Sequence, residues 1–267
     1  MLGTTHTGLL PAPSAVAAAL WLDGWLTGRT GSDDLLAVLA RIAPDSPPAL
    51  LADGSSHAIG ELLMRIRAEA VTHAWPVVPR PGRRAGWPEG LSLEPRPAVL
   101  LVAAAPTSHG LPPAAALLHA STGGWALAAV PAEDATRVTA PVLAEAVSPR
   151  SAARRFAEVV TAATDDLARL GLERAASTAD RRAWSRTLRA LPRGLAGEFA
   201  HVLDRLCTVL DGLELALVDD GAAVTAAEAR VRSERLHTLH AELTDLLVSV
   251  VVGTAISAPA GVGSRTS

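Results

Sequence analysis

The sequence predicts an α/β or α+β fold: a small mixed sheet of about five strands, N-terminal helices, and a C-terminal antiparallel helical layer. The first observation is the stretch 97–106, an apolar run enclosed by two prolines. A run of this length is too short for a typical helix and too apolar for a surface strand, which indicates a strand covered on both faces. The second is a change of pattern near residue 149, after which apolar residues recur every three or four positions, as in amphipathic helices.

The N-terminal part is predicted to be helical after a loose leader at residues 1–13, which contain Thr, Gly and two Pro. Val16, Leu20 and Trp25 fall on one helical face, and Gly28 ends that helix. Ser32 is the predicted N-cap of a second helix, because two acidic residues follow it in the first turn. These helices and the sheet layer make up a predicted domain over residues 14–148.

Within the sheet layer, a strand at 49–52, a helix at 57–70 and a strand at 73–79 predict a βαβ unit with parallel strands. The prolines of the second strand restrict it to an edge or a strand end. After the apolar run we expect a short helix at 112–120, then a hairpin made of strands at 125–130 and 136–142. A long loop rich in Pro, Gly and Arg covers 80–94.

The second predicted domain, residues 149–253, is helical throughout, with a flexible tail at 254–267. Its last two helices, 198–218 and 225–252, are expected to pair around a turn at Asp219–Gly221. The final helix carries an apolar seam that requires a partner helix. The seam consists of Leu236, Leu239, Leu243, Leu246, Leu247 and Val250.

The composition excludes several classes of function. The chain has 267 residues, 24 basic and 27 acidic, and a net charge of −3. All basic residues are Arg, and Lys, Asn, Gln and Tyr are absent. A general nucleic-acid binder carries a basic domain or stripe, so we expect no nucleic-acid partner. The single Cys207 excludes an intrachain disulfide, and its helical surroundings indicate a buried apolar role.

The chain shows no sequence signature of export or membrane insertion. No basic residue precedes Arg29, so the N-terminus lacks the charged region of a secretory signal. The apolar run 246–256 is shorter than the roughly twenty residues that cross a bilayer. We therefore expect a cytoplasmic protein with no membrane partner.

Three blocks carry a resemblance to an uncharacterised family of hypothetical proteins from GC-rich bacteria. They are WLDGWLTGRTGSDDLLAVL at 21–39, VPRPGRRAG at 78–86 and DDGAAVTAAEARVR at 219–232. Members of that family often carry Pro-Gly-Asp where this chain has Pro81-Gly82-Arg83. The resemblance implies an order of elements over most of the chain. It implies no activity, because the family has none assigned.

The first candidate site lies at the carboxyl edge of the predicted sheet, where parallel strands tend to bind ligands. Three loops there offer carboxylate, hydroxyl, imidazole and guanidinium groups and a helix N-terminus, which suit a small anion such as phosphate or carboxylate. The alternative is that the serines cap a helix and the arginines are solvated. The candidate residues are Asp53, Ser55, Ser56, His57, Arg80, Arg83, Arg84, Ser108 and His109.

The second candidate is metal binding by two Glu-x-x-His spacings, Glu198–His201 and Glu234–His237. Residues three apart share a helix face, and two such pairs form half of a di-metal carboxylate site. Chance spacing in helices explains them better, so we expect no metal and no cofactor. The stretch 121–124 has glycines that could hold a phosphate, yet without Lys it indicates a tight turn. Trp87 is either a lid on the layer beneath it or part of a contact surface.

The sequence therefore favours a non-catalytic cytoplasmic module for binding or assembly, with a homo-oligomer or protein partner. The alternative is a small-anion binder or enzyme at the loops described above, and a di-metal site is third. An enzyme needs an acid or base poised in a pocket. Only His57, His109 and Asp53 are available near the sheet edge, so we lean against an enzyme.

Overall fold

The chain folds as a mixed, helix-rich protein with one sheet, described here from a computed structural model. The sheet has strand order β2-β1-β6-β5-β4-β3. The structure describes residues 12–42, 49–50, 56–68, 71–80, 83, 87, 96–103, 115–121, 124–130, 132–169, 183–188, 191–195, 197–218 and 225–257.

The sheet is built around an antiparallel meander of four strands, each of six or seven residues. Two strands of two residues each complete one edge, where β1 pairs antiparallel with β2 and parallel with β6. There are therefore fewer long strands than the five predicted, and every strand in the described residues precedes residue 130. The strands are β1 Ala49–Leu50, β2 Ser56–His57, β3 Val71–Val77, β4 Ala98–Ala103, β5 Ala115–Ser121 and β6 Gly124–Ala129.

The apolar run forms β4, as predicted. Val99 and Leu100 are fully buried and Leu101 is 1% exposed. Consecutive strand residues point to opposite faces, so burial of all three shows that both faces of β4 are covered. The strand pairs with β3 on one side and β5 on the other.

Helix α1, Ala12–Leu26, packs across β3 and β4. It is buried on nearly every side, which is the property of a core helix. Alanines at 15 and 17–19 allow close packing against its neighbours, while Leu22 and Trp25 fill the core. Helices α2, Ser32–Ile42, and α3, Ile59–Ala68, add Leu35, Leu39, Leu62, Leu63 and Ile66 to the same cluster.

A charged residue lies inside this layer. The carboxylate of Asp23 accepts a hydrogen bond from Nη2 of Arg29 at 2.6 Å, and its other oxygen lies 3.4 Å from Nδ1 of His73. The side chain of Asp23 is only 4% exposed. The His73 ring stacks on Trp75, with the ring centroids 5.9 Å apart.

The predicted βαβ unit is wrong. Strand β3 pairs antiparallel with β4 at the edge opposite β1, so β1 and β3 are neither neighbours nor parallel. Strand β1 instead meets β6 through Leu50 and Ala126. The edge position of β3 does agree with its proline, because Pro76 has no N–H to donate to a second neighbour.

Two further elements differ from the prediction. Part of the segment predicted as a helix at 112–120 is strand β5, because it pairs with β4 and β6 on both sides. These ladders override the helix propensity of its Ala and Leu residues. The strand predicted at 136–142 lies in helix α4, Ala132–Ala144. Its Ala135, Val138 and Val142 are buried at helical spacing, so this segment does not pair back as the second strand of a hairpin.

From residue 149 onward, the described residues contain only helices and their connections. These are α5 Pro149–Arg169, α6 Ala183–Thr187, α7 Gly197–Val218 and α8 Ala226–Ser257. All six residues of the predicted apolar seam on α8 are buried. Arg232 Nη1 donates to the carbonyl oxygen of Ala216 at 3.1 Å, which joins α8 to α7 near their connection.

The chain divides into two compact units. One comprises Met1–Ala146, Leu191–Gly194 and Val251–Ser267, and the other comprises Val147–Ala190 and Leu195–Val250. Helix α1 includes the last two residues of the predicted leader, and α8 continues past 253 into the predicted tail. The remaining residues of the leader and tail lie outside the described part of the chain.

We expect Leu101→Ala to lower the free energy of unfolding by roughly 2–5 kcal/mol, because it leaves a cavity in a covered strand. Reversible urea unfolding measures this loss. Met64→Ala is the control, since Met64 is 67% exposed and its removal should change the stability by less than about 0.5 kcal/mol. Equal effects of the two substitutions would contradict the burial of β4.

Candidate functional site

The predicted anion site can be followed only in part. Asp53, Ser55, Arg84, Ser108 and His109 lie outside the described residues. The ligand-binding role of these residues remains a prediction.

Ser56 and His57 do not begin a helix. They form β2 and pair with β1, in the register Leu50 to Ser56 and Ala49 to His57. Helix α3 begins at Ile59, so the helix N-terminus predicted next to Ser56 lies farther along the chain. The backbone of this segment pairs with β1 in a small antiparallel hairpin at the sheet edge.

Arg80 and Arg83 face each other through their backbones. The N–H of each donates to the carbonyl oxygen of the other, at 2.8 and 2.9 Å. The guanidinium of Arg83 also pairs with the carboxylate of Glu145. An anionic ligand at Arg83 would therefore compete with a carboxylate already present.

The three loops do not meet as expected. Strands β1 and β4 run in the same direction, whereas β3 runs opposite to both. The carboxyl ends of β1 and β4 therefore lie on one side of the sheet, where these strands end. The carboxyl end of β3 lies on the other side, where β1 and β4 begin. The prediction placed Arg80 and Arg83 next to Ser56 and His57 because it assumed that β1 and β3 are parallel. That assumption is wrong.

The Glu-x-x-His residues are all exposed. Glu198 pairs with Arg150 at 3.2 Å, and His237 Nδ1 lies 2.8 Å from the carbonyl oxygen of Ser233 on its own helix. Within the described ranges, no group of three or more His, Cys, Asp or Glu residues could hold a metal ion. The described positions of His201 and Glu234 therefore supply no metal centre.

Two smaller candidates have structural roles. Ser121 pairs with Gly124 at the end of the hairpin of β5 and β6, in agreement with the predicted turn. Trp87 is 3% exposed, so its ring belongs to the interior and is not a contact surface.

The described residues contain an open groove of about 330 Å³ between α5 and α8 in the helical unit. Its floor is apolar: Leu236 and Leu239 are buried, and Val159 and Leu167 are half-buried. The lining residues are Glu158, Val159, Ala162, Ala163, Asp166, Leu167, Arg235, Leu236, Thr238, Leu239 and Glu242.

The rim of the groove is acidic. Glu158, Asp166 and Glu242 supply three carboxylates against the single guanidinium of Arg235. Arg235 Nη1 lies 4.0 Å from Asp166 Oδ2, a loose contact between partly exposed groups. The groove therefore combines apolar surface with excess negative charge, which suits an apolar ligand that carries positive charge.

Sequence reasoning identified the components of the groove but missed their arrangement. The apolar seam on α8 was predicted from the sequence, whereas the partly covered positions 159 and 167 on α5 were found only in the structure. Periodicity shows that a face is apolar, but only tertiary packing shows whether a neighbour covers it. The half-burial of Val159 and Leu167 is the signal that the sequence could not supply.

Helix α8 is the one helix among the described residues that is long and apolar enough to cross a membrane. In the structure 61% of its apolar window is buried. A buried core helix passes the same test of length and composition, so this is weak support for a membrane span. The absence of a membrane partner remains a prediction.

No family model matches the chain, and neither the curated proteins nor the solved structures include a significant match. The resemblance to the family from GC-rich bacteria therefore stays a prediction.

The thiol of Cys207 is not a nucleophile in this fold. Burial, together with the negative charges of Asp211 and Asp204, raises its pKa from 9.0 to about 12. The side chain lies in α7 among apolar neighbours and is 2% exposed. The predicted role as a small buried residue is in agreement with this.

Alkaline pH should therefore destabilise the protein through Cys207. The unfolded thiol loses its proton near pH 9, whereas the folded thiol keeps it to about pH 12, so stability falls between these values by up to roughly 1.4 kcal/mol per pH unit. The chain contains no Lys or Tyr, and Arg stays charged in this range. Urea unfolding from pH 8.5 upward measures the slope, which Cys207→Ala should remove. A slope that persists in Cys207→Ala would refute the assignment.

Proposed function

We propose that the chain is a non-catalytic, cytoplasmic protein-binding or assembly module whose groove between α5 and α8 receives a helix of a partner. One observation carries this proposal. The apolar stripe of α5 is only half-covered at Val159 and Leu167, although it faces the buried leucines of α8. An amphipathic helix laid in a groove buries such positions at spacings of three and four residues.

The rim defines the chemistry of that partner. Three carboxylates surround the apolar floor, so the partner helix carries Arg or Lys beside its apolar residues. Apolar contact supplies the main affinity, and the charges orient the helix. The groove itself does not suit a small anion, because the acidic rim would repel it.

A site-specific fluorophore tests this proposal. Thr238 is exposed at the rim of the groove, so Thr238→Cys can carry an environment-sensitive dye. The native Cys207 should remain unlabelled because it is buried and its pKa is raised to about 12. Thr208→Cys, exposed on α7, is the matched control.

We expect a synthetic helix of Leu, Ala and Arg to shift the emission of the dye at position 238 to the blue and to leave the dye at 208 unchanged. The charge-inverted helix, with Glu for Arg, should bind at least about tenfold more weakly at low salt. Ala162→Arg in the labelled protein should abolish the shift, because it adds bulk and positive charge to the floor. An equal response at both positions, or none at either, would contradict a helix-binding groove.

A further inference from the structure

Helices α5 and α8 run antiparallel along the groove. The N–H of Val147, just before α5, donates to the carbonyl oxygen of Ser249 on α8 at 3.1 Å. Farther along α5, Asp166 Oδ2 lies 4.0 Å from Nη1 of Arg235, which precedes Ser249 on α8. As the residue numbers rise along α5, the numbers of the facing residues on α8 therefore fall.

This arrangement places Glu158 and Glu242 at the same end of the groove. Glu158 lies eight residues before Asp166, or roughly 12 Å along α5. Glu242 lies seven residues after Arg235, or roughly 10 Å along α8 in the same direction. Both side chains line the groove and are exposed. Two carboxylates, one from each helix, therefore flank this end.

The two ends of the groove differ in charge. At the far end, Asp166 has the guanidinium of Arg235 beside it, so that end carries a charge of each sign. In the described part of the chain, no hydrogen bond or ion pair engages the carboxylate of Glu158 or that of Glu242. The apolar floor lies between the two ends. The excess negative charge of the groove is therefore concentrated at the end formed by Glu158 and Glu242.

We propose that Glu158 and Glu242 form a carboxylate clamp for one basic residue at the end of the bound helix, and that this clamp determines which helices bind. This inference rests on the proposed function, because it uses the same groove. A guanidinium has five N–H donors in a planar fork, so it can donate to a carboxylate on each side. A basic residue in the middle of the bound helix would instead lose water over the apolar floor without gaining a carboxylate.

Two synthetic helices of identical composition test where the charge must lie. Both carry a stripe of Leu and Ala with one Arg, which stands in the last turn of one peptide and in the middle turn of the other. Titration of the full chain with the dye on Thr238→Cys measures the affinity of each peptide. We expect the terminal-Arg peptide to bind about tenfold more tightly at low salt. Circular dichroism of the free peptides checks that their helicity is equal.

Removal of either carboxylate tests the clamp residues. Glu158→Gln and Glu242→Gln should each weaken binding of the terminal-Arg peptide roughly two- to fivefold, and together about tenfold, since each removes one exposed charge pair. High salt should remove most of this difference. Matched controls are Asp165→Asn on α5 and Glu234→Gln on α8, which remove exposed carboxylates outside the groove. These controls should leave the preference between the two peptides unchanged.

The outcomes separate this inference from the proposed function. If both peptides shift the dye with equal affinity, or if the two clamp substitutions act no more strongly than the controls, the clamp is overturned and the groove stands. If no peptide shifts the dye at position 238, the proposed function fails and the clamp fails with it.

Discussion

The carboxylate of Asp23 sets the constraint on which the sheet layer depends. A charge buried in an apolar core is costly unless a partner neutralises it, and here the guanidinium of Arg29 does so while His73 adds a polar contact. Arg29 reaches Asp23 because the chain reverses after α1, and Gly28 with φ of 76° permits that reversal. The hydroxyl of Thr27 donates to the carbonyl oxygen of Asp23 at 2.6 Å and closes the helix end.

Contacts at the end of α1 tie four elements together. His73 belongs to the edge strand β3, so the carboxylate links the end of α1 to the sheet. Trp25, two residues farther on, donates to Ser32 Oγ at 3.1 Å and lies under the guanidinium of Arg67. Helices α2 and α3 are thereby fixed to the same helix end. The polar groups give the apolar layer one specific arrangement.

The sequence predicted much of the fold because apolar spacing reports burial. The covered strand at Val99–Leu101, the apolar seam of α8 and the helical character after residue 149 all followed from local pattern. Strand direction could not be predicted from local pattern, because a short apolar strand has the same sequence features whether its neighbour is parallel or antiparallel. For the same reason the predicted anion site depended on an arrangement that β3 does not adopt.

The groove illustrates a second limit of sequence reasoning. Val159 and Leu167 read as ordinary core positions, because periodicity cannot distinguish a covered face from a half-covered one. The charged residues of α5 can be read from the sequence. Only the structure shows which of them lie beside α8. Elements are therefore easier to predict from one sequence than the surfaces they leave open.

The pairing of β1 with β6 has a consequence for how the chain folds. Leu50 and Ala126 are far apart in sequence, whereas β3 to β6 form a meander of successive neighbours. Closing a long loop costs more entropy than closing a short one, so we expect the meander to form first and the edge at β1 to join last. During synthesis β1 leaves the ribosome well before its partner exists. Pulse-labelled hydrogen exchange would show this as late protection at Leu50, and early protection there would refute the order.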